Sequence, residues 1–132
     1  MAGWILYDYV DQRNVNHIEQ WTKGLEKKYR AMLHRKLKAL EDETERGLLP
    51  KLFDGPLKGY PHIYKLKIGG KVKLRPLLCK GPIDNDDELT LLIGATERGW
   101  QFNPKNAPAI AEERRKEILN DNERRCNHVK VL

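Results

Sequence analysis

The stretch that most restricts the fold is residues 59–80, GYPHIYKLKIGGKVKLRPLLCK, because its apolar and cationic residues alternate with the two-residue period of a strand. Tyr64, Leu66 and Ile68 fall on one face, with Lys65 and Lys67 on the other. After Gly69-Gly70 the alternation resumes, with Val72, Leu74 and Leu78 on the apolar face and Lys71, Lys73 and Arg75 on the cationic one. A hairpin, apolar beneath and cationic above, satisfies this pattern. Directly opposed residues share a face, so a two-residue loop, which would set Leu66 against Lys73, is disfavoured. A three-residue loop of Gly69-Gly70-Lys71 instead sets Lys67 against Lys73, Lys65 against Arg75 and Leu66 against Leu74. Like charges directly opposite cost roughly 0.2–1 kcal/mol per pair, a repulsion that an anionic ligand would relieve. The cationic face is therefore a candidate phosphate-binding surface; the alternative is an ordinary solvated face whose lysines protect a sheet edge.

The chain around this hairpin has 132 residues, 39% of them hydrophobic, which is enough for one domain, residues 1–132, with one core. Lys and Arg number 25 against 19 Asp and Glu, a formal charge of +6 that favours an anionic partner such as nucleic acid. The two cysteines, Cys79 and Cys126, have neither metal-ligand spacing nor a disulfide framework, which fits a reducing compartment. No basic-then-apolar leader is present, and no apolar run approaches the ~18 residues of a membrane span. A cytoplasmic location without membrane association is the expectation.

In chain order, residues 3–10, GWILYDYV, read as a first strand. Asn16 is a candidate N-cap with Glu19 three residues on, and Ile18, Trp21, Leu25, Tyr29, Met32, Leu33, Leu37 and Leu40 form a helical stripe reaching Thr44. Gly24 or the run 26–28 offers a break, leaving open one rod or two helices. Gly47 is a candidate C-cap, followed by an irregular connector over 48–61. The four carboxylates Asp84, Asp86, Asp87 and Glu88 fit no calcium loop and read as a solvated turn. ELTLLIGA (88–95) is almost continuously apolar, as a strand covered on both faces must be, and is the candidate central strand. Residues 96–108 carry Arg98, Trp100, Phe102 and Lys105 without periodicity. Asn106 with Pro108 starts a last helix packed by Ile110, Ala111, Ile118 and Leu119, and residues 127–132 form a short strand or a loose tail. These elements predict an α/β (α+β) domain: an antiparallel sheet of three to five strands, helical residues 16–45 on one face, and a C-terminal helix.

His17, His34, His62 and His128 are scattered, with no metal-ligand spacing, so no metal and no cofactor are expected. Phosphate loops, nucleophile elbows and zinc knuckles are likewise missing from the sequence.

The element order, with LKALEDETERGLLPKLFDGPLKG (37–59), IYKLKI (63–68), KVKLRP (71–76) and PKNAPAIAEERRKEI (104–118), resembles the RelE/ParE toxin superfamily, especially its HigB-like phage- and plasmid-associated branch. The resemblance implies a RelE-like fold and the toxin of a type II toxin-antitoxin pair. It further implies a metal-independent endoribonuclease acting on messenger RNA, in the ribosome, with a helix-turn-helix antitoxin as cognate partner. Lys65 and Lys67 match the two alternating lysines of RNA-cleaving members, and Val72-Lys73-Leu74 is the nearest match to an aromatic-Arg-apolar segment, with Arg75 as a competing cation. The alternative reading is a non-catalytic protein of the same fold, either a DNA topoisomerase poison or a phage protein that uses its basic face for nucleic acid or a protein partner.

Cleavage by the adjacent 2′-hydroxyl requires a base, stabilisation of the phosphorane's charge and protonation of the 5′-oxygen. The expected catalytic set is Lys65, Lys67, Lys73, Arg75 and Arg98: Lys65 or Lys67 as base, Arg75 or Arg98 as oxyanion stabiliser, and Lys73 as phosphate binder. Lys58, Lys71, Lys80, Trp100 and Lys105 are the flanking candidates for nucleic-acid contact.

Overall fold

The computed structural model describes residues 3–42 and 53–132. Its first strand, β1 (Ile5–Tyr9), leads to α1 (His17–Lys23), and the N-cap is the expected one, with Asn16 Oδ1 accepting from Glu19 N at 2.9 Å. The helical stripe is broken into two. The Gly24 amide bonds back to the Gln20 and Trp21 carbonyls, and α2 (Lys27–Asp42) restarts with Glu26 O accepting from Tyr29 and Arg30. Tyr29, Leu33, Leu37 and Leu40 form the buried face of α2. The expected cap at Gly47 and much of the connector lie outside the described residues.

The remaining strands are β2 (Phe53–Asp54), β3 (Tyr64–Leu66), β4 (Lys73–Leu74), β5 (Leu77–Lys80), β6 (Glu88–Ile93), β7 (Thr96–Arg98), β8 (Gln101–Asn103) and β9 (Arg125–Asn127), with α3 (Ala107–Asn120) before β9. They form a six-stranded sheet in the order β2-β3-β5-β6-β1-β9 and a three-stranded sheet in the order β4-β7-β8. This is the expected α+β class, with more and shorter strands than the alternation indicates. The sheet is not wholly antiparallel, because β1 pairs with β6 in parallel. That pairing follows from the intervening helices, which carry the chain back across the sheet before it returns.

The two sheets are joined by one bent hairpin, with β4 and β5 on one arm and β6 and β7 on the other. Pro76 cannot donate to a ladder, the β5–β6 register shifts between Leu77 and Leu78, and β6 leads to β7 through Gly94-Ala95. The Arg75 amide donates to Ala95 O at 2.8 Å, so pairing is carried across the bend. Gly94 is required there: a Cβ would meet the Trp21 ring at 2.0 Å.

Helices cover both faces of the larger sheet. Ile18, Tyr29, Leu33, Leu37 and Leu40 pack on Trp4, Leu6, Leu66, Leu78, Leu89 and Leu91. On the other face, Ala107, Ala111 and Ile118 of α3 pack on Tyr9, Ile63, Leu77, Cys79, Leu92 and Ile93. β6 contributes to both cores and lies between β5 and β1, as expected of the central strand. Pro108 stands in the first turn of α3, but Asn106 makes no side-chain cap there, and Leu119 is half exposed. The last strand falls at Arg125–Asn127, slightly earlier than the expected tail strand, and pairs with β1.

Candidate functional site

The hairpin exists, with a different register. Ile68 and Leu74 exchange both backbone hydrogen bonds at 3.1 Å, and Lys65 pairs with Leu77 in place of Arg75. The loop therefore holds residues 69–73, and every pairing is displaced by two residues from the three-residue-loop expectation. An even displacement preserves the faces, so Lys65, Lys67, Lys73 and Arg75 still lie opposite Leu66 and Leu74. Two contacts fix the longer loop. Tyr29 Oη accepts from Val72 N at 3.1 Å, and Gly70 adopts a φ of 134°, which favours glycine. Val72, expected on the apolar face, is consequently in the loop and 41% exposed. On its other edge β4 pairs with β7, which sets Lys73 opposite Glu97.

Glu97 is the residue that the sequence reading missed, and it stands at the centre of the predicted cluster. Its Oε1 accepts from Arg75 Nε at 3.1 Å, and its Oε2 lies 3.3 Å from Lys65 Nζ. The three side chains are 10%, 11% and 17% exposed for Arg75, Glu97 and Lys65 respectively. Phe102, paired with Glu97 across β7–β8, places its ring 5.8 Å from Lys65 Nζ. Arg75 also donates from Nη1 to the carbonyls of Ile68 at 3.0 Å and Leu74 at 2.7 Å, which pins the β3–β4 junction. The repulsion implied by the alternation is thus relieved from within the protein. The three residues of β7 are too few to reveal this pairing by their period, although as a strand they set Glu97 on the face opposite Thr96 and Arg98.

The other candidates surround this centre or lie apart from it. Lys67 is exposed and forms an ion pair with Asp54 at 3.4 Å. Lys71 and Lys73 are exposed on and beside the hairpin loop, while Arg98 is exposed at the end of β7. Trp100 occupies the tip of the β7–β8 hairpin, a two-residue turn opened by Gly99 at φ 64°, and is 96% exposed. Among the described residues no carboxylate lies within ion-pair distance of Lys71, Lys73 or Arg98. Lys58 is exposed in the connector, and Lys105 is exposed just before α3. Lys80 ends β5, five residues beyond Arg75 and hence roughly 16 Å along an extended strand. The structure therefore does not bring Lys80 into the Glu97 centre.

Chemically, the centre offers a carboxylate bracketed by two cations and bordered by exposed lysines, a set that can bind phosphate oxygens and accept a proton. Cysteine chemistry has no support: burial pushes the Cys79 thiol up to about 12 and also raises that of Cys126. A second buried polar cluster serves the fold. Fully buried Asp8 on β1 accepts from Asn16 Nδ2 at 2.9 Å and Val129 N at 3.0 Å, and pairs with His128 Nδ1 at 2.8 Å, tying the C-terminal segment to the central sheet.

Among the described residues no helix is long and apolar enough to cross a membrane, and no group of His, Cys, Asp and Glu is arranged to hold a metal ion. Comparison with family models, curated proteins and solved structures finds no match to this chain.

Proposed function

We propose that the chain is a toxin of RelE/ParE type that acts on messenger RNA in the cytosol, without a metal, and is held inactive by a helix-turn-helix antitoxin. The observation that carries this reading is the gathering, on one sheet face, of the Glu97 carboxylate with Lys65 at 3.3 Å and Lys73 directly across the strand pair. In this reading an incoming phosphate draws Lys65, the most exposed member of the buried trio, away from Glu97. Glu97 then accepts the 2′-hydroxyl proton as the 2′-oxygen bonds to phosphorus and the bond to the 5′-oxygen breaks. Lys65 protonates the departing 5′-oxygen and Lys73 holds the phosphoryl oxygens, while Arg98 falls on the other face of β7. Arg75 positions Glu97 and the β3–β4 junction and takes no part in binding. Trp100, solvated at its hairpin tip, offers a stacking face for an unpaired base.

A second reading, binding without cleavage, is favoured by one observation: Arg75, the strongest candidate oxyanion clamp, is already committed to Glu97, Ile68 O and Leu74 O. One experiment separates the two. Purified protein is titrated with a single-stranded RNA at four salt concentrations, and the RNA is then recovered and sized. Both readings expect an affinity that falls with salt, with a log–log slope of roughly −1.4 for Lys71 and Lys73 at about 0.7 per phosphate. Cleavage lost in Glu97→Gln supports the toxin reading. Intact RNA, with ribosomes present or absent, leaves the binding reading, and a flat salt dependence rejects both.

A further inference from the structure

We propose that the pocket between the end of β5 and the second half of α3 binds a phosphate monoester carried on a group of pentose size. The inference stands apart from the RNA reading, because the pocket shares no residue with the Glu97 centre. It encloses about 220 Å³, below the range typical of drug-sized ligands and suited to a smaller one. Its polar lining includes the cations Lys80 and Arg115 with the His62 imidazole and the Asn85 amide, and among the described residues no carboxylate lines it. Pro61, Pro82 and Leu119 supply apolar wall, and the pocket accounts for Leu119 remaining 49% exposed on the last turn of α3.

The cations are poised for an outside anion. Lys80 Nζ rests 5.4 Å from the Tyr64 ring centroid, and no carboxylate of the described residues lies within ion-pair distance of it. Arg115 gives Nη1 to Glu112 at 2.7 Å, and a guanidinium carries five donors, so its fork retains capacity for a second anion. Arg115 and Leu119 stand four residues apart, on one face of α3. The opposite wall is rigid. Gly81 adopts φ 74° with no room for a Cβ beside Asn85, its amide donates to Glu88 O at 2.7 Å, and its carbonyl accepts from Thr90 Oγ1. The neighbouring carboxylate of Asp84 accepts from the Asp86 and Asp87 amides at 3.0 and 3.3 Å, which holds it within its own turn.

A phosphate monoester suits this set because its dianionic head takes bidentate Arg and point-charge Lys together. Two sources share that chemistry: a free sugar phosphate and the 5′-terminal phosphate of a nucleic-acid strand. The test is calorimetric titration of the full chain with ribose 5-phosphate, with ribose, and with a short RNA bearing either a 5′-phosphate or a 5′-hydroxyl. Each is run on wild type, Lys80→Ala and Lys73→Ala. Saturable binding of the phosphorylated sugar, at least about tenfold weaker in Lys80→Ala and unchanged in Lys73→Ala, supports the site. A 5′-phosphate preference of the RNA that is lost in Lys80→Ala, without binding of the free sugar phosphate, supports the site and assigns the strand end as its source. Equal losses in the two variants, equal binding of ribose, or no saturable binding of any phosphorylated probe in the millimolar range overturns it. Lys80 is exposed, so Lys80→Ala leaves the core intact; its fold is checked by an unchanged urea midpoint.

Discussion

Glu97 Oε1 lies 3.1 Å from Arg75 Nε, with both side chains about nine-tenths buried, so the most strongly basic group of the hairpin face is neutralised inside the protein. The pair carries a stability consequence that the exposed cations do not. Removing one partner of a buried ion pair costs roughly 3–5 kcal/mol, because the other is left charged and unsatisfied. Glu97→Ala is expected to lower the urea midpoint accordingly, with a smaller loss in Glu97→Gln, whose amide oxygen can still accept from Arg75. A midpoint unchanged in Glu97→Ala would show that the bridge is not held in solution.

Lys65 and Lys67, equivalent in the alternation, are expected to behave differently. Lys65→Ala removes a charged hydrogen bond at a site 17% exposed and should destabilise by about 1.5–3 kcal/mol. Lys67→Ala breaks only a solvated pair with Asp54 and should stay within about 0.5 kcal/mol. Chemical denaturation of the two single variants checks this. Equal effects would place Lys65 in solvent after all.

Acid should act on the turn after β1. The Val15 amide, bonded to Asp11, holds that carboxyl down at about 2 against its usual 3.8, with His17 adding to the effect. A carboxyl lowered in the folded state stabilises at pH values above 3.8, and that contribution is lost as pH falls from 3.8 towards 2. Asp11→Asn should therefore be less stable than wild type at neutral pH, and the difference should narrow through that window. Thermal midpoints at four pH values give the curve; a constant offset would contradict it.

Thiol labelling should separate the two cysteines. Cys79 is fully buried between the sheet and α3, with its thiol raised to about 12, whereas Cys126 lies part-exposed on the edge strand. A disulfide reagent at pH 8 should modify Cys126 first and reach Cys79 only on unfolding. Mass spectrometry of the labelled peptides decides the order, and early modification of Cys79 would mean that α3 opens readily.

Asp8 offers the largest single effect on the C-terminal segment. Asp8→Ala leaves three donors, from Asn16, His128 and Val129, without their shared acceptor, at a cost of about 1–3 kcal/mol for each one left buried and unpaired. Hydrogen exchange at residues 126–129 should rise with it, while α2 stays protected. Unchanged exchange there would remove the tie.

Much of this architecture was readable from residue order, because period and capping are local. Asn16 caps α1, the apolar run 88–95 becomes the doubly covered central strand, and the cation face of the hairpin survives a register displacement of two. What escaped was long-range. The loop length depends on Tyr29, which reaches from α2 to the Val72 amide across 43 residues. The fate of Lys65 and Arg75 depends on Glu97, which arrives from a strand that the aperiodic stretch 96–108 concealed. Two- and three-residue strands leave too little pattern to detect, and charge alternation alone does not say whether its counter-ion is a ligand or another part of the same chain.

The contact between Gly94 and Trp21 couples two positions sterically. A side chain at 94 has no space while the indole is present, and the indole lies over backbone that only hydrogen leaves clear. Neither site can drift alone: a larger residue at 94 demands a smaller one at 21, and the reverse exchange opens a void at the bend. Related chains should therefore either keep both residues or have replaced both, so the pair marks lineages that preserve this particular bend.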